Sequence, residues 1–252
     1  MKVGIIGARG FLGKSISKRF TENDIPFLIF THQPISQHLK SDHMFDVLTP
    51  YLDEINEISH IIYCAWKPDR RRQIQKQNYL AARYVSRWCL DRNISCLFIS
   101  SLSAIPEKPK SNYGFWKKKA ETEFLLRNQS IVRPGTIIPV GSSTGSALDE
   151  LFALRFFAKN GISILKPALI PMISESVVVD YVMNWLNGST HVNFNLVTEV
   201  SSIQSLLNIK AGKIPFRILK VILFLIPINI KDRIKVIIDL QEKVCLKESK
   251  NI

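Results

Sequence analysis

The sequence lacks the features that would assign the chain to several large classes of protein. No uninterrupted apolar run reaches the ~18 residues of a membrane-spanning helix, so we expect no integral membrane segment. No small-residue cleavage site follows an apolar run near the first residue, so we expect no signal peptide. The four cysteines form no Cys-x-x-Cys pair and no pattern with histidine. We therefore expect no metal site, reduced thiols and a cytoplasmic protein.

Acidic residues are scarce relative to basic ones, 21 against 34, which gives a net charge of +13. The excess is spread along the chain, and no basic stripe with interleaved aromatic residues, as in proteins that stack on bases, is present. We therefore expect no nucleic-acid partner. Two interpretations stay open: an ordinary solvated basic surface, or a positive field that attracts doubly charged substrates such as nucleotide diphosphates.

Short apolar runs alternate with helical stretches over the first half of the chain, which predicts an α/β fold with a doubly wound parallel sheet. With 252 residues and 46% hydrophobic composition, the chain can bury a core as one domain or as a domain with a small lobe. The predicted strands are residues 2–6, 26–31, 45–48, 60–65, 95–100 and 130–133, and the predicted helices are 11–22, 72–92 and 112–127.

Beyond Gly141 the alternation weakens. We expect a small lobe there, covering the carboxyl edge of the sheet, where ligands bind in such folds. The predicted division is a dinucleotide-binding domain at 1–140 and a mixed C-terminal part, mainly a substrate lobe, at 141–252. The elements predicted in the second part are helices at 147–159, from 177, at 214–225 and at 229–246, and strands at 162–165 and 193–197.

Three glycines, Gly7, Gly10 and Gly13, follow the first predicted strand and open the first predicted helix. Glycine lets the chain turn tightly and approach a pyrophosphate closely, while the amides at the helix N-terminus face its negative charge. The order of strand, glycine turn and helix therefore predicts a phosphate-binding turn for a nucleotide cofactor.

The end of the second strand usually selects between NAD and NADP, because a carboxylate there hydrogen-bonds the adenosine ribose. This chain has Thr31 and His32 at that place and no carboxylate, and we count both among the cofactor-binding residues. Arg9, inside the glycine turn, could face a 2′-phosphate; the alternative is a solvent-exposed arginine on a loop tip. We expect NADP in preference to NAD.

Two Tyr-x-x-x-Lys patterns occur, and their contexts distinguish them. Tyr63 and Lys67 come from a strand that continues into a turn, where residues four apart do not share a face. Tyr113 begins a predicted helix, where residues i and i+4 are neighbours, so Lys117 lies beside it. There the charge of Lys117 lowers the pKa of the phenol and its amine holds the nicotinamide ribose. Tyr113 is then free to exchange a proton with a substrate carbonyl oxygen.

Two serines just past the fifth strand are candidates for a second contact to that oxygen. We expect Ser101 to make this contact, and Ser103 is the alternative. A serine here could instead be an ordinary turn or helix-capping residue with no catalytic role. Asn78, in the preceding helix, is expected either to support the site through water or backbone contacts or to be purely structural.

These segments occur together in the order and approximate spacing of a known family. The chain resembles the extended short-chain dehydrogenase/reductases of the NAD-dependent epimerase/dehydratase family. The resemblance is carried by GARGFLG (7–13), IIYCAW (61–66), Asn78, FISSLSA (98–104), YGFWK (113–117) and IVRPG (131–135). It implies a Rossmann fold, with Tyr113, Lys117 and Ser101 as the catalytic residues. The cofactor contacts that it implies are Gly7, Arg9, Gly10, Phe11, Leu12, Gly13, Asp46, Val47, Ala65 and Lys117.

The resemblance implies an NAD(P)-dependent oxidoreductase that acts on a nucleotide-activated sugar. We expect a reductase of a 4-keto sugar in surface-polysaccharide biosynthesis, because no acidic residue adjoins Ser101 to support dehydration. One alternative is a nucleotide-sugar epimerase with retained NAD. The other is a catalytically silent NAD(P)-binding regulatory or scaffold protein, which the short loop between Ser101 and Tyr113 would suit. A homodimer through the helices at 72–92 and 112–127 is a further implication.

Overall fold

The structure is a computed structural model that describes residues 2–31, 42–47, 50, 52, 58–69, 71–138, 169–188 and 192–202. Its strands are β1 Val3–Ile6, β2 Phe27–Thr31, β3 Asp42–Met44, β4 His60–Tyr63, β5 Ser95–Ile99, β6 Ser130–Pro134, β7 Thr136–Ile138, β8 Leu169–Ser174, β9 Asn193–Leu196 and β10 Glu199–Ser202. Its helices are α1 Phe11–Glu22, α2 Arg72–Asp91, α3 Asn112–Leu125 and α4 Glu175–Leu186. Within these ranges, no helix has the length and apolar character needed to cross a membrane.

Seven parallel strands form the main sheet, in the order β3-β2-β1-β4-β5-β6-β9. The strand order reverses between β1 and β4, which are neighbours in the sheet although two strands separate them in sequence. The loops at the carboxyl ends of these two strands therefore diverge and leave a crevice. The predicted α/β fold with a doubly wound parallel sheet is confirmed.

Each face of the main sheet carries its own apolar layer. On one face, Phe30, Tyr63 and Phe98 pack with α2 and α3. On the other face, Ile5 and Ile62 pack with α1 and α4. Strands that are buried on both faces are continuous apolar runs in sequence, and for that reason the central strands were predictable within one or two residues.

The predicted position of the third strand is wrong. The apolar signal at 45–48 predicted a strand there, but β3 is Asp42–Met44. Phe45 produces that signal although it lies just after the strand, because its buried ring packs against Tyr63 in a T-shaped contact with 6.2 Å between ring centroids. Since β3 lies at the edge of the sheet, its own residues need not be apolar.

A second sheet, in the order β10-β8-β7, was not predicted. β7 pairs with β8 in parallel and β10 pairs with β8 antiparallel. Gly135, between β6 and β7, passes so close to β8 that an added Cβ would lie 2.5 Å from the carbonyl oxygen of Pro171. The strand predicted at 130–133 is β6, and directly after it, at Gly135, the chain passes from the main sheet to the second one.

Some predicted elements of the C-terminal part can be compared with the structure and others cannot. The helix predicted from 177 is α4, which begins at Glu175, and the strand predicted at 193–197 is β9, the seventh strand of the main sheet. The elements predicted at 147–159, 162–165, 214–225 and 229–246, and Cys245, lie outside the described residues. The division at 140 stays a prediction.

Candidate active site

A cavity of about 590 Å³ opens at the carboxyl ends of the central strands. It brings together residues from the end of β2 and from the loops after β1, β3, β4, β5 and β6, as the crevice of a doubly wound sheet requires. The sequence-predicted residues that line it are Gly7, Arg9, Gly10, Phe11, Leu12, Gly13, Thr31, Asp46, Val47, Ala65, Ser101, Tyr113 and Lys117. His32 lies outside the described residues. Residues from distant parts of the chain therefore meet at one place, while their roles stay predictions.

The glycine turn forms one end of the cavity. Gly7 has a φ of +96°, and an added Cβ would lie 2.6 Å from the backbone nitrogen of Ala65, so the loops after β1 and β4 can touch only because residue 7 is glycine. An added Cβ on Gly13 would overlap the carbonyl oxygen of Gly7. Gly10 donates its backbone N–H to that oxygen over 2.9 Å and is the N-cap of α1. The turn thus presents the N-terminus of α1 to the cavity.

Tyr113 and Lys117 lie one turn apart on α3, at the other end of the cavity. The helix begins here because the Ser111 side chain, its N-cap, accepts a hydrogen bond from the backbone N–H of Gly114 over 2.9 Å. Lys117 Nζ donates to the carbonyl oxygen of Ile99 over 2.8 Å and lies 5.8 Å from the centre of the Tyr113 ring. Burial lowers the pKa of Lys117 to about 7, although the nearby Glu121 carboxylate opposes that change.

The structure distinguishes the two candidate serines. Ser101 is half-buried and lines the cavity. Ser103 is fully buried, and its hydroxyl donates to Ser101 Oγ over 3.1 Å, from inside a single 3₁₀ turn at Leu102–Ala104. Ser103 therefore supports the Ser101 hydroxyl from behind, and Ser101 is the serine that a ligand in the cavity can reach.

A buried ionic network behind the serine was not predicted from the sequence. Ser100 Oγ donates to the Glu121 carboxylate over 2.5 Å, and Arg133 forms two further hydrogen bonds of 2.8 Å to the same group. Arg133 also donates to the Asn193 side chain on β9. The network joins α3, β6 and β9 to Ser100, the residue between β5 and the candidate Ser101. The sequence did contain a signal for Glu121, since an acidic residue one helical turn after Lys117 would lie on the same face of α3 as that lysine.

Two buried amides on α2 fix the loop that follows β4. The Asn78 side chain accepts from the backbone N–H of Lys67 over 2.8 Å and donates to its carbonyl oxygen over 3.0 Å. Gln75 accepts the indole N–H of Trp66 over 2.8 Å. The predicted backbone contacts of Asn78 are confirmed, whereas the contributions of Gln75 and Trp66 were missed.

The structure also separates the two Tyr-x-x-x-Lys patterns. Tyr63 is fully buried in the core, and its hydroxyl has no hydrogen-bond partner among the described residues. Burial raises the pKa of the Tyr63 phenol well above its ordinary value. Lys67 is exposed at the mouth of the cavity. The structure therefore agrees with the strand assignment, which predicted that Tyr63 and Lys67 do not form an acid–base pair.

Comparison with known proteins shows the fold. No protein-family model and no curated protein matches the sequence. The UDP-N-acetylglucosamine 4-epimerase from Bacillus cereus has a similar structure, with a TM-score of 0.67 and 15% identity over 82% of this chain and 80% of that one. So does the NAD-dependent NDP-hexosamine 5,6-dehydratase TunA, with a TM-score of 0.65 and 14% identity over 82% and 80%.

A third similar structure is the UDP-glucose 4-epimerase from Thermus thermophilus in complex with NAD. Its TM-score is 0.61, with 14% identity over 82% of this chain and 81% of that chain. At such low identities the likeness establishes the fold and not the activity. The fold that the sequence resemblance implied is therefore confirmed.

Proposed function

We propose that this protein is an NAD(P)-dependent oxidoreductase of the short-chain dehydrogenase/reductase type that acts on a nucleotide-activated sugar. One observation carries the proposal: a single cavity joins a glycine turn at a helix N-terminus to Tyr113, Lys117 and Ser101. The proteins of similar structure support it, since their names describe UDP-sugar 4-epimerases and an NAD-dependent NDP-hexosamine dehydratase.

The residues around the cavity fit a nicotinamide dinucleotide. The glycine turn would place the pyrophosphate against the N-terminus of α1, where the amides of the first helical turn favour negative charge. Asp46 and Val47 would contact the adenine end, and Ala65 would lie near the ribose, as the resemblance implies. Such a cofactor supplies or accepts the hydride. We favour NADP over NAD, because Thr31 brings no carboxylate to the end of β2 and Arg9 lines the same cavity.

The chain itself supplies the proton and holds the oxygen. The Tyr113 phenol would exchange a proton with the substrate oxygen, and the Ser101 hydroxyl would donate a hydrogen bond to that oxygen. A cationic Lys117 beside Tyr113 would lower the pKa of the phenol. Glu121 and Ser100 would fix this end of the cavity through their buried hydrogen bond.

We favour a 4-keto-sugar reductase of surface-polysaccharide biosynthesis. No carboxylate adjoins Ser101 to support a dehydration, and the cavity residues suffice for a carbonyl reduction. A 4-epimerase with retained NAD is the second candidate, because two of the proteins with a similar structure are 4-epimerases. The homodimer through α2 and α3 and the cytoplasmic location stay predictions.

Purification without added cofactor tests these alternatives. The protein is denatured, and any released nucleotide is identified by absorbance and mass. Stoichiometric NAD would favour the epimerase, and empty protein that then binds NADPH reversibly would favour the reductase. Failure to bind either nucleotide would refute both enzymes. Nucleotide binding without turnover on a panel of UDP-, dTDP- and GDP-linked sugars would favour the regulatory protein.

A further inference from the structure

We infer that Trp66 is a positioning residue for Lys117: its indole face, locked by Gln75, holds the lysine ammonium beside the Ile99 carbonyl and keeps it charged. The inference rests on the proposed function, which places Lys117 beside the cofactor and Tyr113. In this inference Trp66 acts through Lys117 and does not contact the reacting atoms itself.

The surroundings of the Lys117 ammonium are mainly aromatic. Nζ lies 4.3 Å from the centre of the Trp66 ring, 4.7 Å from that of Phe98 and 5.8 Å from that of Tyr113. The Lys117 side chain is nearly buried, and its described hydrogen bond is the one to the Ile99 carbonyl oxygen. Three rings with negative faces thus take much of the place that water would occupy around an exposed lysine. Trp66 is nearest of the three, and tryptophan attracts cations most strongly.

Trp66 is held rigidly although it stands in a loop. Its indole N–H donates to Gln75 Oε1 over 2.8 Å, and the Gln75 amide donates to the carbonyl oxygens of Asp69 and Lys67. Gln75 is fully buried, so its orientation is fixed by these partners. The ring also meets Tyr113 edge to face, with 6.1 Å between centroids and 83° between planes. A ring so fixed can hold a cation at a defined point, which a mobile loop side chain cannot do.

The charged and titratable groups around Lys117 make its protonation state sensitive to small contributions. Burial favours the neutral amine and Glu121 favours the cation, whereas Cys64, whose pKa burial raises to about 12, is a neutral thiol near neutral pH. Arg133 neutralises much of the effect of Glu121 through its two hydrogen bonds. These opposing effects leave the pKa of Lys117 at about 7, so the face of Trp66 is expected to decide which form dominates near neutral pH.

The test is a titration of Lys117 in the cofactor-free protein. Lysine labelled with ¹³C at Cε is followed by NMR from pH 5 to 11, and the Lys117 signal is assigned with Lys117→Arg. We expect Trp66→Leu to shift the protonation equilibrium towards the neutral amine by about tenfold, as loss of a buried cation–π contact implies. Trp66→Phe retains an aromatic ring, so it should shift the equilibrium in the same direction by a smaller factor.

Trp116→Phe is the matched control. Trp116 is a second tryptophan close to the site, but its ring packs against Tyr79 and Phe115 and lies near Lys119 rather than Lys117. The control is expected to leave the Lys117 titration unchanged. If Trp66→Leu does not fold, Trp66→Phe against Trp116→Phe gives the same comparison, with a shift of about threefold expected only in the former.

An unchanged equilibrium in the Trp66 variants, or a shift towards the cation as water enters, would overturn the inference. The measurement uses no cofactor and no substrate. A wild-type protein without turnover would therefore refute the proposed function and leave the Trp66 result interpretable on its own.

Discussion

Glu121→Gln removes the charge from a nearly buried ion pair, and we expect it to destabilise the protein by about 3 kcal/mol. The Glu121 and Arg133 side chains are only 6% and 12% exposed, and two hydrogen bonds of 2.8 Å join them. Glutamine keeps the shape of the side chain but turns one acceptor into a donor that faces the guanidinium. The cost should fall at the lower end of the range for broken buried pairs, because Asn193 still accepts a hydrogen bond from Arg133.

Urea denaturation measures this effect. With an unchanged slope, a loss of about 3 kcal/mol lowers the midpoint by on the order of 1 M. Asp180→Asn is the control, since Asp180 pairs with Arg19 on the surface over 2.6 Å with side chains 53% and 35% exposed, and its loss should cost less than about 1 kcal/mol. The double variant Glu121→Leu with Arg133→Met removes both charges and should be much less destabilised than Glu121→Gln.

Two results would refute this reasoning. One is that Glu121→Gln lowers the urea midpoint no more than the control Asp180→Asn does. The other is a double variant as unstable as the single one, which would mean that the uncompensated charge of Arg133 does not determine the loss.

Three further predictions concern the cavity. Tyr113→Phe should cut turnover by roughly 10²–10⁴ in steady-state assays and leave nucleotide affinity in fluorescence titrations unchanged; near-normal turnover would exclude the mechanism. Because folding lowers the pKa of Lys117 from 10.5 to about 7, the folded protein binds fewer protons between these values. The free energy of unfolding should therefore rise with pH across that window more in the wild type than in Lys117→Met, and equal slopes would contradict the shift. Gly13→Ala places a Cβ on the Gly7 carbonyl and should lower the melting temperature far more than Gly10→Ala, whose Cβ would lie 3.2 Å from the same oxygen; equal melting temperatures would contradict the close approach of α1 to the turn.

The parts of the fold that could be predicted are those that local chemistry determines. The run at Val3–Ile6 is buried on both faces, and α1 begins directly after Gly10, so strand, turn and helix follow from apolar content and glycine alone. The spacing of Tyr113 and Lys117 predicted a shared helix face because it depends on helical periodicity only. β3 could not be located in the same way, since an edge strand need not be apolar. The apolar signal came from the buried Phe45 instead, and it moved the predicted strand past the real one.

The parts that could not be predicted depend on contacts between distant segments. Helical spacing places Glu121 on the Lys117 face of α3, but no local pattern pairs it with Arg133, which is twelve positions away on a different element. Trp66 likewise is one of four tryptophans in the sequence, and its place against Lys117 follows from the pairing of β4 with β5 and from the buried Gln75. Tertiary structure alone brings such residues to the site.

The short connection between Ser101 and Tyr113 changes how the substrate side of the cavity can be built. Lys118 fixes this loop, since its amine donates to the carbonyl oxygens of Pro106 over 2.6 Å and Glu107 over 3.1 Å. These two hydrogen bonds hold the loop against α3. Among the described residues, Pro134–Ile137 line the cavity where the chain passes from the main sheet to the second one, whereas none of residues 105–110 lines it. Substrate selection in the proposed reaction should therefore respond to changes at Thr136 and Ile137 more than to changes in the 105–110 loop.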